Sequence, residues 1–168
     1  MNSPVSSAKS EGKAANPKPA EVSPARILLV DDDPVNQMVA LGLLRRRGWE
    51  AIAAGNGKEA LEILAQQNVN LILMDLQMPE MDGFQTATAI RRREAELSSE
   101  PSRRQIVDAS LEQSQRQGGR IPIIALTTAT QPGVREQCLA AGMDDYLTKP
   151  INPRALYAAV EKHLGNQQ

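Results

Sequence analysis

Four apolar residues, Leu71 to Met74, run without polar interruption into an aspartate, Asp75, and then into Leu-Gln-Met-Pro-Glu-Met-Asp-Gly. A strand with one solvated face alternates apolar and polar residues, so an unbroken run reads as a strand covered on both faces of a parallel sheet. Pro79 and Asp82-Gly83 then end the strand and turn the chain into a helix. Asp75 therefore stands at a strand's carboxyl end, the edge at which open α/β sheets bind their ligands.

The same grammar recurs along the chain. Ile27 to Val30 runs into Asp31-Asp32-Asp33, with Pro34 in the first turn of a helix. Val35, Met38, Val39 and Leu43 recur at helical spacing and predict its buried stripe, and Gly48 ends it after Arg45-Arg46-Arg47, read as a solvated turn at the negative end of the helix dipole. Glu50 to Ala54 is a weaker second strand. Asn56 with Glu59 three residues on opens the next helix in a capping-box pattern, with Leu61, Leu64 and Ala65 as its buried stripe. A third helix starts at Gly83 and is expected to turn Phe84, Ala87 and Ile90 inward and Arg91 to Glu96 outward. Ile121 to Leu126 is a buried strand ending in Thr127-Thr128, and the helix after it carries Val134, Cys138 and Ala141. Asp145 to Thr148 ends in Lys149-Pro150, and Asn152-Pro153 starts a last helix with Leu156, Ala159, Val160 and Leu164. Cys138 reads as a small core residue and His163 as a surface residue with no carboxylate near it in sequence.

Five strands alternating with five helices give, by the right-handed crossover rule, an α/β fold with one parallel sheet and helices on both faces. At 168 residues the chain fits one such domain plus tails. Residues 1–25 hold Pro4, Pro17, Pro19 and Pro24 but no Leu, Ile or aromatic side chain. That composition cannot offset its ordering entropy, so it reads as a flexible linker to something upstream. The domain is expected over 26–164, with 165–168 as a tail. Residues 98–120 far exceed the usual connection of about 2 to 6 residues and read as an insertion, a surface excursion or partner-binding element in which Ile106, Val107 and Leu111 fit one short helix.

Charge excludes several functions. Nineteen Lys and Arg balance 20 Asp and Glu, so nothing drives the chain toward nucleic acid or an anionic membrane. One cysteine excludes an internal disulfide framework, and no apolar run is long enough to span a bilayer or form a signal-peptide core. The expected compartment is the cytoplasm, the segment standing alone or as the cytosolic part of a larger membrane-bound protein, with no direct membrane contact.

All strand carboxyl ends of a parallel sheet share one rim, which here gathers Asp31, Asp32, Asp75, Thr127 and Lys149 from four strands. Converging carboxylates repel unless a cation neutralises them, and a hard divalent ion, Mg2+, suits an all-oxygen set while leaving positions for water and a phosphoryl oxygen. Lysine and threonine supply donors to the remaining phosphoryl oxygens, so the set reads as a phosphoryl-transfer site with a carboxylate nucleophile.

Val30-Asp31-Asp32-Asp33-Pro34-Val35-Asn36-Gln37, Met74 through Gly83, Pro122 through Thr127 and Tyr146-Leu147-Thr148-Lys149-Pro150 resemble, in order, the four signatures of response-regulator receiver domains of two-component signalling. The resemblance covers residues 26–164 apart from the insertion and is strongest to receivers fused to hybrid sensor histidine kinases. It implies the flavodoxin-like, doubly wound strand order 2-1-3-4-5. It also implies Asp75 as phosphoacceptor, with Mg2+ held directly by Asp32, through water by Asp31, by Asp75 and by the backbone carbonyl of Gln77. Lys149 would pair with the acceptor and then the phosphoryl group, and Thr127 and Tyr146 would move as the switch. A cis Lys149-Pro150 bond would aim the ammonium. The implied partner is a histidine kinase or histidine phosphotransfer domain. Chemistry would be limited to self-phosphorylation from a phosphodonor and autodephosphorylation.

Thr128 departs from the small residue usual in that family and is expected to narrow access to the phosphoryl site. Together with the insertion it leaves room for a degenerate receiver acting only as a protein-binding module. A haloacid-dehalogenase-like phosphatase, with Asp31 as nucleophile and Asp33 as acid/base, also fits Asp31 to Val35 but leaves Asp75 and its turn unexplained. A DNA-binding regulator is disfavoured because only three residues follow Gly165.

Overall fold

The computed structural model describes residues 23–99, 120–128 and 132–165. The elements are β1 (Arg26–Val30), α1 (Pro34–Arg46), β2 (Glu50–Ala54), α2 (Gly57–Gln66), β3 (Leu71–Asp75), α3 (Gly83–Ser99), β4 (Ile123–Thr127), α4 (Val134–Ala140), β5 (Asp145–Thr148) and α5 (Pro153–Gly165). Every strand pairing is parallel, and the sheet runs β2-β1-β3-β4-β5, the order expected. The expected linker before residue 23 and most of the expected insertion, including its short helix, lie outside the described residues.

The unbroken apolar strands now have their physical reason. Successive side chains of β1 and β3 point to opposite faces, and each face is roofed by helices. Leu28, Val30, Ile72, Met74, Ile123 and Ala125 pack with Ala60 of α2, Ala87 and Ile90 of α3 and Cys138 of α4. Ile27, Leu29, Leu71, Leu73, Ile124 and Leu126 pack with Ala40 and Leu44 of α1 and Leu156 and Val160 of α5. Cys138 is a buried core residue, as expected, and burial pushes its thiol pKa up.

Helix starts were legible from capping chemistry. Asn56 Oδ1 accepts from Glu59 N at 2.8 Å, and Glu59 Oε2 reaches back to Gly55 N, one residue ahead of the cap, at 2.7 Å. Asn152 caps α5 through Arg154 N and Ala155 N. Which face each helix buries was less legible. Val35, Met38 and Val39 are 60%, 68% and 51% exposed, whereas Ala40 and Leu44 face the sheet. Both stripes have helical spacing, and the small Ala40 is what a close approach to the sheet selects. In α2, Leu61 and Leu64 are half-buried but Ala65 is exposed, and Gly57 and Ala60 take the innermost positions. A Cβ on Gly57 would lie 2.2 Å from Thr86 Oγ1, so the α2–α3 contact requires glycine there.

Three polar side chains expected in solvent are tied down by partners distant in sequence. Arg91 donates to the Gly142 carbonyl at 2.8 Å, to Glu94 at 2.8 Å and to Asp144 at 2.9 Å. Glu94 in turn accepts from Ile121 N, Asp144 accepts from Ile123 N, and Arg120 donates to Gly142 O and Asp144. Arg47 pairs with Glu161 and stacks over the Tyr157 ring, whose hydroxyl donates to Leu43 O. His163 Nε2 lies 3.0 Å from Asp145 Oδ2, fastening α5 to β5. Burial opposes the ionised Asp145 carboxylate, but the bonds from His163 and Tyr146 N and the nearby Lys162 charge prevail and lower its pKa.

Arg91→Ala is expected to lower stability by about 1.5–3 kcal/mol, the scale of hydrogen bonds to a charged group, because Glu94 and Asp144 keep their backbone donors but lose their shared cation. Urea unfolding should show a lower midpoint at unchanged slope. An unmoved midpoint would show that the network contributes nothing.

Candidate functional site

Parallel strands deliver their carboxyl ends to one rim, where β3 and β4 end in Asp75 and Thr127 and Asp31 directly follows the last residue of β1, all three buried. Asp32, one residue further on, is exposed. Carboxylate oxygens of Asp31, Asp32 and Asp75 come within 4.8 Å of one another. Lys149, just past β5, brings its Nζ to 2.9 Å from Asp31 Oδ2 and 3.3 Å from Asp75 Oδ2. Residues separated by more than a hundred positions therefore meet as the sequence predicts.

The local backbone fixes each group. Asp33 N donates to Asp31 Oδ1 at 2.9 Å and Gln77 N to Asp75 Oδ1 at 3.1 Å. Lys149 N donates to Thr127 O at 2.8 Å, and the Lys149-Pro150 bond is cis. Glu80 adopts a left-handed φ of 68° in the turn after β3. Gly83 N then closes that turn onto Leu76 O at 3.2 Å, and a Cβ at Gly83 would stand 2.4 Å from the Asp75 carbonyl oxygen. Glycine here is a condition for placing Asp75.

Asp33 does not join the cluster. Its Oδ1 caps α1, accepting from Val35 N at 2.8 Å and Asn36 N at 3.4 Å, which removes it from the acid/base role of the phosphatase alternative. Tyr146 on β5 is exposed and stands outside the cluster, and Thr128 is exposed beside Thr127. Gln37, to which the sequence reading gave no role, reaches the rim from α1: its Nε2 donates to Asp31 O at 2.6 Å. A polar side chain one helical turn past the Asp33 cap was the available signal.

Burial raises the pKa of Asp75, and the Asp31 charge adds to it, against the opposing pull of the Gln77 N–H and Lys149. For Lys149 burial works against the charge, but the bond to Asp31 and the attraction of both carboxylates outweigh it and its pKa rises. Three carboxylates and one ammonium leave two negative charges among oxygen donors alone. That set fits a hard divalent cation such as Mg2+, and it contains no thiolate or imidazole to favour a softer one.

A carboxyl group with a raised folded-state pKa binds its proton more tightly folded than unfolded, so its ionised form costs stability at neutral pH. Asp75→Asn is therefore expected to raise the unfolding temperature at pH 7 in metal-free buffer. The gain should shrink as pH falls through the folded-state pKa of Asp75 and vanish below the ordinary carboxylate range. A less stable Asn variant at pH 7 would show that the Lys149 contact outweighs burial and repulsion.

The response regulator receiver domain family matches residues 27–99 and 109–161. A probable histidine kinase of Oryza sativa is 39% identical over 152 residues, covering 85% of this chain but only 16% of the kinase. Among solved structures, the receiver domain of a sensor histidine kinase from Pseudomonas aeruginosa, with a magnesium ion coordinated in its active site cleft, is 34% identical at a TM-score of 0.64, covering 84% of this chain and 98% of that one. The receiver domain of a Saccharomyces cerevisiae response regulator, crystallised with a histidine phosphotransfer protein, is 29% identical at a TM-score of 0.71, covering 86% and 92%. With the family matched over most of its length and the flavodoxin-like sheet order in place, the chain belongs to the response regulator receiver domains and is homologous to the receivers of hybrid sensor histidine kinases.

Proposed function

We propose that this domain takes a phosphoryl group from a phosphohistidine donor onto Asp75 and relays it as a conformational signal. The observation that carries this reading is Lys149 bridging two buried carboxylates from different strands, one of which ends the central strand beside a glycine-dependent turn. Asp75 is the nucleophile: one carboxylate oxygen attacks phosphorus in line as the bond to the donor imidazole nitrogen breaks, and that nitrogen keeps the electron pair. Burial makes the carboxylate more basic and so more nucleophilic, while Lys149 keeps it ionised.

Bound Mg2+ supplies charge neutralisation and orients the phosphoryl oxygens. Asp32 suits a direct ligand, since its exposed carboxylate has no hydrogen bond or ion pair to another described residue. Asp31 suits contact through water, since its two oxygens already accept from Asp33 N and Lys149. Asp75 and the Gln77 carbonyl complete the set. After transfer Lys149 and the Thr127 hydroxyl donate to phosphoryl oxygens, and Tyr146, now exposed, turns inward behind Thr127. The dianionic group thereby biases two arrangements of the β4 and β5 loops.

The apolar face of α1 left in solvent, Val35, Met38 and Val39, begins two residues past Asp33, on the helix that leads away from the acidic rim. We assign it to docking the phosphodonor, a histidine kinase or phosphotransfer domain, in line with the yeast receiver crystallised with such a protein. None of the described helices is long and apolar enough to cross a membrane, and the domain is assigned to the cytoplasmic part of a longer histidine kinase.

Intact mass after incubation with Mg2+ and acetyl phosphate should show a labile gain of one phosphoryl group, absent in Asp75→Asn, and Asp32→Ala should lose most Mg2+ affinity. Phosphorylation that persists in Asp75→Asn would displace Asp75 as acceptor. Met38→Asp should slow transfer from a phosphohistidine protein by about tenfold or more, the scale of losing an interface anchor, while leaving acetyl phosphate reactivity unchanged. Equal slowing with both donors would move the defect from docking to the site.

A further inference from the structure

Asp31 is held at four points. Its N–H donates to Ala54 O at 3.1 Å, its Oδ1 accepts from Asp33 N, its Oδ2 accepts from Lys149, and its carbonyl accepts from Gln37 Nε2 at 2.6 Å. Asp32 differs, since its exposed carboxylate has no hydrogen bond or ion pair to another described residue. The position of that carboxylate follows from the peptide before it, the Asp31-Asp32 peptide whose oxygen Gln37 grips. β1 ends at Val30, so this peptide lies past the last paired residue of the strand.

We propose that Gln37 is a positioning residue of the acidic site, anchoring the Asp31-Asp32 peptide so that the Asp32 carboxylate is aimed at the cation before the cation arrives. The proposal rests on the Mg2+ reading of Asp31, Asp32 and Asp75. The half-buried amide sits in the first turn of α1, where Gln37 N is itself bonded to Asp33 O at 3.0 Å. A second carbonyl, that of Ala54 at the end of β2, lies 3.5 Å from the same nitrogen. Two carbonyl oxygens require a donor, so the nitrogen and not the oxygen of the amide faces them. The amide is also neutral. It orients the ligand-bearing peptide without placing a competing positive charge beside the cation site, as a lysine or arginine would.

Outer partners that orient metal ligands typically contribute about 10–100-fold in metal affinity. In the full chain, calorimetric titration with Mg2+ should show Gln37→Met, which keeps length but cannot donate, binding about tenfold or more weakly, with cooperative unfolding retained in metal-free buffer. At saturating Mg2+ its phosphorylation by acetyl phosphate should return to the wild-type rate, since the variant loses occupancy of the site and not the nucleophile. Gln37→Glu gives an independent sign: added negative charge alone would tighten Mg2+ binding, whereas an acceptor set against two carbonyls releases the peptide and weakens it. Met affinity within twofold of wild type, or tighter binding by the Glu variant, overturns the proposal while the Mg2+ reading stands. Failure of the wild-type chain to bind Mg2+ removes both.

Discussion

One ammonium shared between two buried carboxylates is the interaction on which this rim depends. Asp31 and Asp75 are brought together by adjacent parallel strands, and neither could be buried ionised beside the other without Lys149. Lys149 gets there because the chain after β5 is fixed to the end of β4 through Lys149 N and Thr127 O. Even so, one positive charge does not balance two negative ones, and Asp32 adds a third. The rim is therefore electrostatically incomplete, which makes it receptive to a cation and costs stability without one. Such a cost persists only where the surrounding core over-determines the geometry, as the fully buried β3 and β4 do here.

The opposite rim is built on the other principle. There Arg91, Glu94, Arg120 and Asp144 pair acids with bases, the two arginines also donating to Gly142 O and the two carboxylates also accepting from Ile121 N and Ile123 N. Charges satisfied this fully rigidify. They also fasten both chain ends next to the long β4-leading connection, Glu94 on α3 and Arg120 before β4, to one network. The sheet consequently has a locked edge and a charged, unbalanced edge, and only the second has anything to gain from a ligand.

Parallel strands with helices on both faces, and Asp31, Asp75 and Thr127 at one rim, were legible in the sequence because each depends on one local signal, an apolar run that leads into a polar residue at a strand's carboxyl end. The strand order and the place of Lys149 after the short β5 came instead from the family resemblance. Caps at Asn56 and Asn152 were legible from local signals too. Arg91, Arg47 and His163 were not, because their partners Asp144, Glu161 and Asp145 lie 53, 114 and 18 residues away and no local pattern announces them. The α1 stripe failed differently. Periodicity finds apolar faces but does not rank them, and with two present Ala40 and Leu44 went to the sheet and Leu43 packed beside them, while Val35, Met38 and Val39 went outside. On the proposed reading that misplacement is itself informative, since an apolar face that the core does not need, on the helix that leads away from the acidic rim, is retained for a partner.

The geometry also says why a single added group could move so much. Thr127 and Lys149 are joined through their backbones, and Lys149 in turn holds the two carboxylates, so the ends of β1, β3, β4 and β5 share one small set of contacts. On the proposed reading, a phosphoryl group on Asp75 would offer Lys149 a stronger anion than the carboxylate it replaces and offer Thr127 an acceptor. Neither residue could respond alone. β5 is the short outer strand, and its exposed Tyr146 lies in register with Ala125 of β4, two residues before Thr127. A shift at Thr127 therefore reaches the protein surface across a single strand pairing. β1, β3 and β4 are packed from both faces and have no comparable freedom, whereas β5 alternates half-buried and exposed residues. On the proposed reading the response would therefore emerge at the β5 edge, where a partner could read it.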